Sequence, residues 1–186
     1  MNFNKHFDIQ GQHAFLSASK YHWVNYDDSK ILDHFDKYLA TQKGTQLHAL
    51  ACELIKLRVK LPKTKQALNR YVNDAIGFRM TPEQPLFYSI NAFGTADTIC
   101  FRDDFLRIHD LKTGISPVSL VQLEVYSAYF CLEYDEDPKR ISMELRIYQG
   151  DEVIEHHPEG KDIKEIMDKI VRFDKQLEKR KLEMED

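Results

Sequence analysis

The spacing of apolar residues predicts helices at both ends of the chain and a sheet in its middle. Before Gly44, apolar residues recur every three or four positions, which is the helical period, and Ser17 is placed to cap a short first helix. Gly44 is expected to break this pattern, so that a second helix follows it. Pro62 is expected to end that helix or to bend the chain beyond it, before a third helical stretch over residues 64–76.

Aromatic and β-branched residues dominate after Pro82 and Pro85, and the helical period is lost there. These residues predict a meander of three strands, at 86–90, 93–101 and 105–111. The three residues Arg102-Asp103-Asp104 are expected to form the tight turn between the last two strands.

Helical spacing returns after Gly114. Ser116 followed by Pro117 suits the N-cap and the first position of a helix. The residues expected on the core-facing stripe of this helix are Val118, Val121, Val125, Ala128 and Leu132.

The last third of the chain predicts a hairpin and a long helix. Residues 141–147 alternate between apolar and polar, which indicates a strand with one buried face. A turn at 149–151 leads to a short partner strand over 152–155. Residues 162–184 then read as a charged helix with a narrow apolar face.

The order of elements from Gly44 onward is helix, three strands, helix, strand. It predicts an α/β (α+β) fold, in which helices flank a mixed central sheet. With 186 residues, the chain is most simply one domain. Within it we expect a helical N-terminal part at 1–43, a core at 44–156 and a C-terminal helix at 157–186.

The composition is that of an ordinary globular protein, with 42% hydrophobic and 30% charged residues. No apolar run approaches the roughly 18 residues that cross a bilayer, and residues 1–12 lack the features of a secretory signal. We therefore expect a cytoplasmic protein with no membrane partner. The scattered cysteines Cys52, Cys100 and Cys131 are expected to be buried free thiols.

One segment departs from the net charge of −4. No acidic residue lies between Glu53 and Asp74. The six basic residues of this segment are Lys56, Arg58, Lys60, Lys63, Lys65 and Arg70. Such a segment can neutralise nucleic-acid phosphates, although most charge runs are simply solvated faces, and both interpretations stay open here.

Two carboxylates and a lysine form the candidate chemical centre. Asp110 and Lys112 point to the same, otherwise apolar face of their predicted strand, and Asp97 lies on the neighbouring strand. Ionised carboxylates at the edge of an apolar face cost several kcal/mol unless compensated. A divalent cation such as Mg²⁺ or Mn²⁺ would compensate them, and Lys112 could then stabilise charge on an attacking hydroxide or a phosphoryl oxygen. The competing interpretation is a structural ion pair between Lys112 and either aspartate.

The pattern around these residues resembles the signature of PD-(D/E)xK nucleases, and within them the RecB-like branch that includes phage exonucleases. The segments that carry the resemblance are Leu16-Ser17-Ala18-Ser19, Gly44-Thr45-Gln46-Leu47-His48, Gly94-Thr95-Ala96-Asp97, Asp110-Leu111-Lys112 and Gln122-Leu123-Glu124-Val125-Tyr126. They occur in the order expected for that branch. The three unpaired cysteines depart from the branch members that carry an iron–sulfur cluster, so no such cluster is expected.

The resemblance implies a restriction-endonuclease-like core and assigns roles to particular residues. His48, Asp97, Asp110 and the backbone carbonyl of Leu111 would bind the metal, and Lys112 would activate or orient water. Gln122 and Tyr126 lie four residues apart on one helix face, and the resemblance implies that they contact phosphates or steady the lysine. Without the resemblance, a histidine such as His48 beside an apolar stripe is more often a core residue.

The function that these expectations imply is metal-dependent DNA hydrolysis, by an exonuclease in recombination, repair or phage DNA processing. The alternatives are a structure-specific or restriction-type endonuclease and an inactive DNA-binding module on the same fold. Partners that suit such roles are DNA, a second copy of the chain, and a recombinase or a single-strand-binding protein.

Overall fold

The computed structural model describes Lys5, Phe7 and residues 13–185. The chain divides into two compact units, Met1–Lys43 and Gly44–Asp186. The boundary falls where the sequence separates the helical N-terminal part from the core. The C-terminal helix belongs to the second unit.

The first unit is helical throughout its regular structure. A 3-10 helix, Ala18–Asn25, follows Ser17 as expected, although the Ser17 hydroxyl contacts Ser19 rather than capping the backbone. Helix α1 (Asp28–Leu57) begins in this unit, where the Asp27 carboxylate accepts the Lys30 backbone N–H at 2.8 Å. This bond satisfies one of the free N–H groups of the first helical turn.

The expected break at Gly44 is wrong, because α1 runs through it without interruption. Glycine inside a helix costs only about 1 kcal/mol relative to alanine, which a helix of 30 residues absorbs. Gly44 is buried, and a Cβ atom there would lie 2.7 Å from the Thr113 hydroxyl oxygen. The glycine therefore permits close approach rather than marking a helix end.

Helix α1 ends before Pro62 through its own backbone. Arg58 adopts a left-handed conformation with φ of 56°, and the Val59 N–H bonds to the Leu54 carbonyl at 2.9 Å. This is the Schellman arrangement, in which backbone bonds close the last helical turn. Helix α2 (Ala67–Gly77) then confirms the third helical stretch, with a later start than expected.

The sheet has five strands in the spatial order β1-β2-β3-β4-β5. Their bounds are β1 Thr81–Ser89, β2 Ala92–Arg102, β3 Phe105–Lys112, β4 Ser142–Gln149 and β5 Glu152–His156. All neighbours are antiparallel except β3 and β4, which are parallel and joined through helix α3 (Val121–Glu133). The expected mixed sheet flanked by helices is confirmed, and helix α4 (Gly160–Glu185) confirms the C-terminal helix.

Strand β1 begins earlier than the sequence indicates, because it includes Pro82 and Pro85. Proline cannot donate a ladder hydrogen bond, but β1 is an edge strand, and one of its sides needs no partner strand. The turn between β2 and β3 is as expected, with Asp103 and Asp104 both at positive φ. This conformation matches the twist of a tight hairpin.

Two apolar cores lie on the two faces of the sheet. The first packs α3 and α4 against the strands and includes Leu106, Ile108, Leu123, Leu145 and Ile163. The second packs α2 and the end of α1 against the other face and includes Ile55, Tyr71, Val72, Leu111 and Tyr148. Cys52 and Cys131 are buried thiols, whereas Cys100 is half-buried.

The strand expected to be half-buried, β4, is buried on both faces. Glu144 points to the face covered by the second core and is only 6% exposed. It is accepted there because Arg107 and Arg146 lie 3.1 Å from its carboxylate oxygens. The alternation of apolar and charged residues therefore reflected a buried ion-pair network, not a solvated face.

The expected start of α3 at Ser116 and Pro117 is also wrong, since the helix begins at Val121. The Gln149 side-chain amide donates to the carbonyls of Gly114 and Ser116 at 2.6 and 2.9 Å, and so holds this segment as a loop. The buried face of α3 therefore differs from the core-facing stripe predicted from the sequence. Val121 is exposed, whereas the buried residues are Leu123, Ser127, Ala128, Phe130 and Cys131.

In the part of the chain that the structure describes, no helix combines the length and the apolar character needed to pass through a lipid bilayer.

Substitution of Gly160 tests how closely the start of helix α4 packs against the backbone at Pro138. A Cβ atom there would contact the Pro138 carbonyl oxygen and lie 2.7 Å from its carbonyl carbon, and the backbone cannot move aside easily. We expect Gly160→Ala to lower the free energy of unfolding by about 1–3 kcal/mol, the usual range for overpacking. The matched control is Gly77→Ala in α2, which meets no atom within 4 Å and should be neutral or stabilising. Urea unfolding measures both, and equal stability of the two variants would contradict the seating of α4.

Candidate metal centre

The candidate site lies where β2 and β3 separate. Their backbone pairing ends at Thr98 and His109, whereas β3 remains paired with β4 as far as Lys112. Beyond that point, the Asp97 carboxylate replaces the missing strand partner and accepts the Leu111 N–H at 3.0 Å. The divergence thus places Asp97 in the gap beside the end of β3.

Helix α1 brings His48 to the same place. Gly44 and His48 are one helical turn apart and therefore share a face of the helix. The missing side chain at Gly44 lets this face approach Thr113, just after β3. His48 Nδ1 then lies 3.3 Å from Asp97 Oδ2.

Asp110 and Lys112 form the adjacent part of the site. The Asp110 side chain is only 4% exposed, and the Lys112 ammonium donates to its Oδ1 at 3.1 Å. The same ammonium lies 3.0 Å from the buried Oδ2 and forms an ion pair with it. Among the described residues, this oxygen has no partner besides the Lys112 ammonium.

Gln122 and Tyr126 extend the contacts of the lysine. Lys112 Nζ donates to Gln122 Oε1 at 3.0 Å, and Gln122 Nε2 donates to the Tyr126 hydroxyl at 3.2 Å. Tyr126 packs against Gly94, where a Cβ atom would lie 2.9 Å from its ring. The predicted helix pair therefore reaches the lysine, and Gly94 makes room for the tyrosine.

The charges in this gap are not balanced. Burial and the nearby Asp110 carboxylate raise the pKa of Asp97 to about 6, and Glu83 contributes in the same direction. The Leu111 N–H and His48 oppose this rise without cancelling it. Negative charge is thus disfavoured at Asp97 in the protein alone, and a cation would relieve it.

Glu83 belongs to the site but was not predicted from the sequence. Ligand atoms of His48, Glu83 and Asp97 all lie within 4.8 Å of one another. Glu83 sits in β1 between Pro82, opposite Thr98, and Gln84, opposite Ala96, so it faces the Asp97 position. The two prolines concealed the start of β1, although extending the hairpin register backward from the predicted strands would have reached Glu83.

The predicted metal ligands thus occupy two neighbouring groups. His48 and Asp97 join Glu83 in the three-residue cluster, while Asp110 lies outside it with its carboxylate held by Lys112. Leu111 links the groups, since its backbone lies between Asp110 and Lys112 and its N–H bonds to Asp97. The imidazole of His48 and the carboxylates of Glu83 and Asp97 are a donor set that suits a divalent metal ion.

Three of the six basic residues of the predicted segment line one cavity. Lys60, Lys63 and Arg70 line a volume of about 350 Å³ together with Asn73 and Asp74. The remaining three residues are spread over the surface. Lys56 pairs with Glu53, Arg58 forms the left-handed turn after α1, and Lys65 is exposed.

Three other histidines do not join the site. His109 faces the second core and contacts Tyr148 and Glu144 at 3.3 and 3.5 Å. His156 bonds to Glu124, and His157 bonds to the Met143 carbonyl. The group of Glu144, Glu155 and His157 also brings ligand atoms together, but Arg146 already contacts both glutamates.

Comparisons of the chain with protein-family models, with curated proteins and with solved structures gave no significant match. The assignment of the site therefore depends on its geometry and on the residue pattern.

The raised pKa of Asp97 predicts the stability of Asp97→Asn without metal. The contribution of Asp97 to stability should fall as pH rises from about 4 to 6, because the folded state holds this proton more tightly than the unfolded state. Asparagine carries no such charge and can still accept the Leu111 N–H. At pH 7.5 in EDTA, we therefore expect Asp97→Asn to keep or raise the free energy of unfolding, by up to about 2 kcal/mol.

The same comparison at pH 4 is the control, since wild-type Asp97 is then protonated and the advantage of asparagine should disappear. Urea unfolding at both pH values measures the difference. Marked destabilisation at pH 7.5 would indicate instead that Asp97 serves a structural ion pair.

Proposed function

We propose that the protein is a metal-dependent deoxyribonuclease with a restriction-endonuclease-like core. The observation that carries this proposal is the gap between β2 and β3, where Asp97 and Asp110 meet Lys112 and His48. The order of helix, three strands, helix and strand in the second unit supports it, together with the resemblance to PD-(D/E)xK nucleases.

The residues that would hold Mg²⁺ or Mn²⁺ are His48, Glu83, Asp97 and Asp110, together with the Leu111 carbonyl. When bound, such an ion would polarise the phosphate of the substrate and lower the pKa of a metal-bound water molecule. In the net reaction, a water oxygen bonds to phosphorus, one ester P–O bond breaks, and a proton reaches the leaving oxygen. The products are a phosphate-ended strand and a free hydroxyl.

Lys112 supplies positive charge next to the reacting phosphate. Its ammonium is half-buried, so it acts in a medium where charge stabilisation is stronger than in water. Gln122 orients it by accepting a hydrogen bond from the ammonium, and Tyr126 in turn restrains Gln122 by accepting one from its amide. A chain of three side chains thus fixes the direction of the ammonium group.

The proposal also covers the kind of nuclease and the surface that binds DNA. The resemblance to the phage-exonuclease branch favours an exonuclease that acts on DNA in the cytoplasm during recombination, repair or phage DNA processing. The cavity lined by Lys60, Lys63 and Arg70 would hold the DNA backbone outside the reaction centre.

Lys112→Ala tests the catalytic proposal. With Mn²⁺ or Mg²⁺, we expect the wild-type protein to digest end-labelled linear DNA, and EDTA to abolish digestion. Lys112→Ala should lose at least about a hundredfold in rate, as expected when a charge-stabilising donor is removed. The matched control is Lys169→Ala, which removes an exposed lysine of α4.

Closed circular DNA in the same assay separates the exonuclease from an endonuclease, since only an endonuclease cuts it. Clean wild-type protein that binds DNA without metal-dependent cleavage would contradict the proposal and favour a binding module.

The role of the basic cavity predicts a change in salt dependence. Each phosphate contact contributes about 0.9 to the slope of log affinity against log salt on duplex DNA. Lys60→Ala/Lys63→Ala should therefore reduce the slope by about two. The control Lys169→Ala/Lys175→Ala makes the same change in net charge on α4 and should leave the slope unchanged. Fluorescence anisotropy in EDTA measures both, and equal slopes would contradict this role.

A further inference from the structure

The first unit contains a groove that the proposed catalytic site does not use. Its volume is about 350 Å³, within the lower range of ligand pockets. All of the lining residues lie between positions 13 and 41, so the groove belongs to this unit alone. The residues are His13, Ala14, Phe15, Lys20, His22, Trp23, Tyr26, Ile31, His34, Lys37, Tyr38 and Thr41.

Flat aromatic side chains form much of the groove, and contacts restrain several of them. The ring centroids of Phe15 and Tyr38 are 5.4 Å apart, and those of Tyr26 and His34 are 4.7 Å apart. The indole N–H of Trp23 donates to the Ser17 carbonyl at 3.1 Å. Held rings provide surfaces for stacking at little cost in side-chain entropy.

Among the residues that the structure describes, basic side chains line the groove and acidic side chains do not. The basic ones are Lys20, Lys37 and three histidines. The same unit nevertheless carries acidic residues on α1, such as Asp33 and Asp36. Ile31, His34, Tyr38 and Thr41 recur at helical spacing and face the groove, whereas the aspartates lie off that face.

A ligand that suits this lining must combine anionic groups with flat rings. Single-stranded nucleic acid does so, because its phosphates can contact the lysines while its unpaired bases stack on the aromatic rings. Duplex DNA keeps its base faces covered by neighbouring base pairs. An acidic peptide would satisfy the lysines alone and leave the rings without stacking partners.

We propose that this groove binds a segment of single-stranded nucleic acid, with bases against Trp23 and its neighbouring rings and phosphates at Lys20 and Lys37. The proposal is independent of the nuclease activity, since it requires neither a metal nor Lys112. It assigns the first unit a binding role of its own.

Trp23 provides a direct test because it is the only tryptophan of the chain. The full-length protein is titrated with oligothymidylate in EDTA, and tryptophan fluorescence is recorded. Stacking of a base should quench this fluorescence, and added salt should reverse the quenching. Anisotropy of a labelled oligothymidylate measures total binding in the same buffer.

The variant Lys20→Ala/Lys37→Ala should reduce the salt slope of the quenching by about 1.4, from two lost contacts to a single strand. The matched control Lys169→Ala/Lys175→Ala makes the same change in net charge with two exposed lysines of α4, which do not line the groove. It should leave the slope unchanged. Lys112→Ala should quench like the wild-type protein, so the result does not depend on catalysis.

Three outcomes would overturn the proposal. The first is binding of the labelled oligonucleotide without any change in Trp23 fluorescence, which places the strand elsewhere. The second is equal quenching by polyphosphate, which carries charge but no bases. The third is an equal loss of salt slope in the control variant.

Discussion

The burial of two neighbouring carboxylates at the end of a sheet is the constraint on which the candidate site depends. Asp97 and Asp110 are both largely withdrawn from solvent, and only Asp110 has a full positive charge at hand. The pKa of Asp97 rises to about 6 in consequence, which means that the protein alone does not fully compensate this carboxylate. Above that pH, a bound cation would balance the charge on Asp97 and lower the cost of its burial.

The fold creates this position by ending one strand pair before its neighbours. The ladder between β2 and β3 stops at Thr98 and His109, but β1 and β4 continue to support the two strands on their outer sides. The gap is therefore held open by paired backbone and not by a flexible loop. Because Gly44 has no side chain, helix α1 can lie close to the same end of the sheet. Residues of α1, β2 and β3 therefore contribute to the candidate site.

Much of this arrangement follows from local sequence. Alternation and turn residues locate β2, β3 and their connection. The errors share a physical cause, which is that distant contacts decide the outcome. The close approach of Thr113 accounts for a glycine inside α1 at position 44. The hydrogen bonds of Gln149 to the preceding loop account for the late start of α3, and the ion pairs with Arg107 and Arg146 account for the burial of Glu144.

The sequence predicts Glu83 as a site residue only if β1 is first recognised as an edge strand, because prolines within a segment normally argue against a strand. The approach of His48 to Asp97 is likewise a tertiary fact that helical spacing alone does not contain.

The prolines of β1 have a second consequence, for association between molecules. An exposed sheet edge is a template on which another chain can add a strand, and this is a common route to aggregation. Pro82 and Pro85 interrupt the row of N–H groups that such an added strand would need. At the opposite edge, β5 is only five residues long and carries Glu152 and Glu155. The prolines at one border of the sheet and the short, charged strand at the other therefore both disfavour unintended pairing with other chains.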